Sequence, residues 1–431
     1  VLDSTHPEVV AGVRERIDPE ACLFLVSSKS GTTLETLSLY RFFWAEAGRT
    51  LPDPGRRFVA VTDPGTPLER LAADRAFRAT VTAPPDVGGR YSALTPFGLL
   101  PAALIGVDPE ALLEEAAVMA RACGPDRPAG DNPAAVLGAA MGALALQGVD
   151  KLTYLPSRSL SSFPSWLEQL VAESTGKDGK GMVPVAGEPL GPAEVYGPDR
   201  LFVGLTLAGD PAPDLSSLEA AGHPVARIVV NGRPALAQEM LRAELAVALA
   251  GSAIGIHPFN QPDVEVAKQL ASRAMDGGRG EDEVTEEPAD PDRLLAAVKE
   301  WLGSVADGDY LAIQAYLPAG RETEEALQSI RLGIRHRFRI ATTVGYGPRF
   351  LHSTGQLHKG GPDTGLFLQI VDSPAIDLEI PETEATFGGL IEAQAVGDFR
   401  ALRERGRRVL RVRLGRDRPG GLRAIEEAVG G

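Results

Sequence analysis

The chain has 431 residues, 44% of them hydrophobic, with 43 Lys plus Arg against 58 Asp plus Glu and a formal charge of −15. That length calls for two or three domains, each with its own core. That charge repels nucleic acid and anionic membranes outside a local basic pocket, so neither is an expected partner. No run approaches the roughly 18 uninterrupted apolar residues of a membrane-spanning helix, and no basic-then-apolar leader opens the chain, so the cytoplasm is the expected location. Cys22 and Cys123 stand far apart in apolar surroundings and read as buried thiols, not as a disulfide or a metal site.

Val1 opens the chain without methionine, as though a strand were already under way, and an amino-terminal element is expected upstream of it. In chain order, "CLFLVSS" (22–28), "RFVAVTD" (57–63) and "FRATVTA" (77–83) are short, rich in β-branched residues and bounded by turn residues, with helical patterns at 32–47 and 68–76 between them. Strands alternating with helices imply parallel pairing in a doubly wound sheet. After the Pro/Gly-rich "CGPDRPAGDNP" (123–133) the alternation restarts, with strands "KLTYLP" (151–156), "LFVGLTL" (201–207) and "VARIVV" (225–230) and helices near 164–174, 234–250 and 262–275. The acidic, Gly- and Pro-containing stretch 276–292 reads as a linker. Beyond it, "YLAIQAYL", "IATTVGY", "GLFLQIV" and "RVLRVRL" supply strands and about 387–405 a helix. The expected domains are therefore 1–128, 129–275 and a carboxyl-terminal α/β extension, 276–431.

The stretch "SSKSGTTLET" (27–36) stands where a strand hands over to a helix. A helix start offers unpaired N–H groups and a positive dipole end, both of which attract an anion. Ser28, Ser30, Thr32 and Thr33 add hydroxyl donors and Gly31 permits close backbone approach, so a tetrahedral phosphate is the natural ligand. One Ser or Thr there would be an ordinary N-cap; a run of them shifts the balance. The G-x-x-x-x-G-K-[ST] spacing of a nucleotide loop is absent, which points to the phosphate of a small metabolite.

"VSSKSGTTLETL" resembles the sugar-phosphate loop of the sugar isomerase domain. "GGRYSALTPFGLLP", "LVAESTGKDGKG", "HPFNQPDVEVAKQL" and "LHSTGQLHKGG" resemble phosphoglucose isomerases, and the first four of these five stretches fall in that family's chain order. The resemblance implies an α/β fold of two doubly wound, flavodoxin-like sugar isomerase domains followed by the carboxyl-terminal unit. It also implies interconversion of glucose 6-phosphate and fructose 6-phosphate by a homodimer, with no cofactor and no metal. The layout of the chain, with this long third unit, resembles the isomerase half of bacterial fusions with transaldolase, which raises a transaldolase domain fused upstream.

Such an isomerisation moves a proton between adjacent carbons and needs one placed base. Glu173, at the end of an amphipathic helix before a Ser/Thr/Gly turn, is that base by resemblance. Glu168, five residues earlier, projects to another face. Arg90, after two glycines, meets the need for fixed positive charge at the enediolate, with Gly89 beside it. The resemblance gives Ser28, Lys29, Ser30, Thr33 and Thr36 to the phosphate and Lys268 and Gln261, two helical turns apart, to ring opening and substrate contact. A ring-opening histidine is expected soon after the base, but 184–200 contains none. His352 in "FLHSTGQLHKGG" is the assignment, with His358 in reserve and His257 third. A binding module without catalysis, or an inactive fragment, are the competing readings; a base, an arginine and a lysine argue against mere binding.

Overall fold

The computed structural model describes residues 1–262, 286–288 and 290–430. The chain forms two compact units, residues 1–115 with 374–391, and residues 116–373 with 392–431.

The first unit holds α1 (Pro7–Arg16), β1 (Phe24–Ser27), α2 (Leu34–Gly48), β2 (Phe58–Thr62), α3 (Pro67–Asp74), β3 (Ala79–Thr82) and α4 (Pro96–Leu104); α5 (Pro109–Ala122) follows. The strands pair in parallel in the order β1-β2-β3. Thr66 caps α3, its hydroxyl accepting from the Glu69 N–H at 3.3 Å, while the Glu69 carboxylate reaches back past the cap to accept from the Gly65 N–H. Rings of Phe24, Tyr40, Trp44, Phe58 and Phe77 stack and tilt together as the core between α2 and the sheet. The returning segment joins the same unit: Phe387 meets Phe42 edge to face at 5.7 Å, and Glu382 pairs with Arg75 at 2.6 Å.

The second unit carries two sheets. α6 (Pro133–Leu146), β4 (Lys151–Pro156), α7 (Phe163–Thr175), β5 (Val183–Val185), β6 (Arg200–Leu207), α8 (Ser216–Ala220), β7 (Val225–Val230) and α9 (Leu236–Ala253) build the first, in strand order β5-β4-β6-β7. The second comprises β8 (Glu287–Pro288), α10 (Pro291–Leu302), β9 (Tyr310–Tyr316), α11 (Arg321–Phe338), β10 (Ala341–Tyr346), α12 (Gly355–Gly360), β11 (Gly365–Val371), α13 (Phe387–Glu404, of which the residues up to Ile391 belong to the first unit), β12 (Arg408–Arg413) and α14 (Arg418–Gly430), in order β10-β9-β11-β12-β8. Every strand pair is parallel, and β4–β7 and β9–β12 share one winding, second-first-third-fourth. This is the doubly wound α/β architecture expected. β9 is buried along its whole length, which is why it reads as apolar but for Gln314, whose amide meets His358 Nδ1 at 3.2 Å.

Charged side chains tie the two sheets together. Glu188, fully buried, receives Arg200 at 3.1 Å, Arg335 at 3.4 Å and the Thr342 hydroxyl at 3.1 Å. Arg200 also donates to the Ile340 carbonyl at 3.1 Å, and Lys151 to that of Gly308 at 2.6 Å. Both cysteines are free, as expected, but half-buried instead of buried. Most of the predicted linker lies outside the described residues; of the remainder, Glu287–Pro288 pairs with β12, and α10 begins at Pro291.

Candidate active site

In the first unit, the loop between β1 and α2 folds on its own hydroxyls. Ser28 and Thr33 share a 2.8 Å hydrogen bond, Ser28 Oγ accepts from the Gly31 N–H at 3.1 Å, and Ser30 and Thr32 share one of 2.9 Å. Thr33 occupies the N-cap of α2 but makes no capping bond to it, because its hydroxyl is turned to Ser28. Capping therefore does not explain these residues, and the first-turn N–H groups of α2 gain no partner from Thr33. Thr36 sits one turn into the helix, its hydroxyl 3.4 Å from the Ser27 carbonyl. Lys29 joins the loops after all three strands, pairing with Asp63 and donating to the Pro85 carbonyl at 3.0 Å.

Gly31 adopts φ 69°, and a Cβ there would lie 2.8 Å from the Leu68 nitrogen and 2.9 Å from Thr66 Cβ. Gly31→Ala is therefore expected to destabilise this unit by about 1–3 kcal/mol and to raise KM for the sugar phosphate, read from urea midpoints and initial rates.

Arg90 lies in a short 3-10 turn, Gly89–Tyr91, with its guanidinium buried and 5.3 Å from the Tyr91 ring centroid. Beside it, a Cβ at Gly89 would meet nothing within 4 Å, so the backbone there is open to approach.

In the second unit, α7 ends at Thr175 and places Glu173 in its last turn. Gln169, one turn earlier on the same face, donates to Glu173 Oε2 at 3.3 Å and to the His352 carbonyl at 2.9 Å. The structure thus brings the backbone of the turn bearing His352, from the far sheet, within reach of the side chain that holds the predicted base. It does so by glycine packing: a Cβ on Gly176 would lie 2.3 Å from Leu357 Cα, and one on Gly181 2.8 Å from Leu357 Cδ1. Gln356 donates to the Gly176 carbonyl at 2.9 Å, and the Gly179 N–H to the Gly360 carbonyl at 2.9 Å. Sequence reasoning missed Gln169, although its four-residue spacing before Glu173 was a usable signal.

His358 is buried between Phe350 and Phe367, with Gln314 at 3.2 Å, and burial with Lys359 and Arg407 nearby holds its imidazole neutral, well below the usual range. It is a core residue. His257 is exposed at the turn after α9, and its Nδ1 accepts from the Phe259 N–H at 3.4 Å. Gln261 is exposed just beyond that turn, whereas Lys268 and the helix expected at 262–275 lie, from residue 263 on, outside the described residues.

Glu168 points elsewhere than Glu173. Burial pushes its carboxyl up to about 7, against the opposing pull of Arg349 and Arg331. A carboxyl raised in the folded state costs stability once pH climbs above its unfolded value of about 4.3. Glu168→Gln is accordingly expected to raise the urea midpoint at pH 8 and to leave it nearly unchanged at pH 4; a lower midpoint at pH 8 would contradict this.

Parallel sheets wound with helices define an α/β protein, in which one unit carries a hydroxyl-rich loop at a strand end and the other a carboxylate bridged to a histidine-bearing turn. Residues 2–184 match the family model of phosphoglucose isomerase. The glucose-6-phosphate isomerase of Rubrobacter xylanophilus is 31% identical over 63% of this chain and 73% of that protein. The probable glucose-6-phosphate isomerase of Natronomonas pharaonis is 32% identical over 64% and 73%. A hypothetical protein from Thermus thermophilus, solved by crystallography, is 27% identical with a TM-score of 0.55, over 63% of this chain and 76% of that one. A glucose-6-phosphate isomerase from Chlamydia trachomatis shares the fold, at a TM-score of 0.51 and 21% identity over 65% and 64%. The chain belongs to the phosphoglucose isomerase family.

Proposed function

We infer that the chain is an aldose-ketose isomerase that interconverts glucose 6-phosphate and fructose 6-phosphate through an enediolate. The observation that carries this reading is the bridged pair: in a chain 31% identical to a glucose-6-phosphate isomerase, Gln169 joins the Glu173 carboxylate to the turn bearing His352. Ser28, Lys29, Ser30, Thr33 and Thr36 receive the phosphate. Lys268 and His352 open the ring, and Gly89 and Gln261 contact the sugar. Glu173 takes the C2 proton of the open aldose and returns it to C1, while a hydroxyl proton passes from O2 to O1. Arg90 stabilises the enediolate oxygen on which negative charge develops. One carbon is oxidised as its neighbour is reduced, so no external electron acceptor enters the balance.

The domains are assigned as 1–128, 129–275 and 276–431, each of which contains its own sheet. A cytoplasmic homodimer, with a transaldolase domain fused upstream, completes the proposal. Among the described residues no helix is long and apolar enough to cross a membrane. The test is a coupled assay for glucose 6-phosphate formed from fructose 6-phosphate. Turnover is the expected result; binding of the sugar phosphate without turnover would favour a binding module instead.

A further inference from the structure

The hairpin immediately after the base carries two lysines that the reaction above does not use. Asp178 at φ 56° and Gly179 at φ 70° form the two left-handed positions of a tight turn, closed by the Lys177 N–H to the Lys180 carbonyl at 3.0 Å and by the Lys180 N–H to the Lys177 carbonyl at 2.9 Å. Lys177 is buried, and its ammonium enters the turn that follows α9. It donates to the His257 carbonyl at 2.7 Å, to the Asn260 carbonyl and to Asn260 Oδ1 at 3.0 Å. Lys180 is exposed and reaches the same stretch slightly earlier, donating to the Ile254 carbonyl at 2.9 Å just past the end of α9.

An ammonium has three donors and no acceptor, and Lys177 directs its donors at oxygens of one four-residue turn. A lysine whose work was solubility would stand in water; this one is spent on gathering carbonyls. The residue after that turn is Gln261, and the residue four before Lys177 is Glu173.

We propose that the Lys177–Lys180 hairpin is a clamp that sets Gln261 relative to Glu173, which makes Lys177, supported by Lys180, a positioning residue for the isomerisation. The inference rests on the isomerase reading and on the substrate contact assigned there to Gln261. Misplacing a substrate-contacting group by about 1 Å can cost on the order of 10²-fold in rate. Groups that act as one unit lose activity non-additively when both are removed.

The experiment measures kcat/KM for fructose 6-phosphate on the whole chain for Lys177→Met, Lys180→Met, Gln261→Ala and the two double variants with Gln261→Ala, with thermal midpoints alongside. Lys177→Met is expected to lose about 10- to 100-fold and Lys180→Met about 3- to 10-fold, and each double variant is expected to fall within about twofold of its weaker parent. The Lys180 loss should come at an unchanged midpoint. Losses that multiply in the double variants, or a Gln261→Ala chain with full activity, would overturn the clamp. Should Lys177→Met fail to fold, the exposed Lys180 pair decides alone. A wild-type chain without turnover would remove the isomerase reading and the clamp with it, whereas turnover with multiplying losses removes the clamp only.

Discussion

Glu173→Gln is expected to lower kcat for fructose 6-phosphate by about 10³-fold while KM stays within about twofold. A positioned general base contributes roughly 10²- to 10⁴-fold, and glutamine keeps the shape while giving up the proton-accepting carboxylate. Gln169 can still donate to the remaining side-chain oxygen, so the link to the His352 turn is preserved in the variant. A fall in kcat at constant KM marks an interaction made only on the way to the transition state. The check is steady-state kinetics on both chains with a direct binding measurement beside it; a variant retaining kcat would take Glu173 out of the role of base. The half-buried Glu168, five residues away, then becomes the carboxylate to test.

Glu188→Gln is expected to destabilise the second unit by about 3–5 kcal/mol, the cost of removing one partner from a buried ion pair. Burial alone would push the Glu188 carboxyl up; Arg200, Arg331 and Arg335, with the Thr342 hydroxyl, outweigh it and hold the group below its ordinary range. In the variant, Arg200 and Arg335 keep their charge in the same buried space without the carboxylate they face. A carboxyl depressed in the folded state contributes stability above its unfolded value of about 4.3, and that contribution disappears as pH falls through the folded value. The gap between wild type and variant in urea midpoint should therefore be wide at pH 7 and close on strong acidification. An equal gap at both ends of the range would mean that packing, not charge, is what Glu188 provides.

Most strands were legible from short runs rich in β-branched and apolar residues between turn residues: "KLTYLP" and "VARIVV" match β4 and β7 residue for residue, the first buried on both faces and the second a partly exposed edge strand. β5 was missed: three residues with Pro184 at the centre carry no period, and proline is tolerated there because the strand is the edge of its sheet. α6 was missed for the opposite reason, since "PAAVLGAAMGALAL" has no polar face to reveal a helical repeat. Its pattern is one of size: a Cβ on Gly138 would lie 2.6 Å from the Ala246 carbonyl and one on Gly142 2.6 Å from Ala253 Cβ, so the glycines are what let α9 approach. At the candidate site, Glu173 and the Ser28–Thr36 loop stand in short stretches whose placement at a helix end and a helix start depends on local order alone. The link from Glu173 through Gln169 to the His352 carbonyl was not legible, because it depends on Gly176 and Gly181 yielding room to Leu357 across the unit.

The return of residues 374–391 to the first unit imposes an order on synthesis and folding. Helix α2 emerges early with Phe42 on its surface, and the Phe387 that covers it follows only after both sheets of the second unit have been largely made. The first unit is therefore the earlier begun and the later finished, and its closure entails joining residues separated by most of the chain, the slowest kind of contact to form. A ribosome that stalls before residue 374 leaves behind a nascent first unit with an uncovered aromatic face, which is the kind of surface that folding assistants recognise.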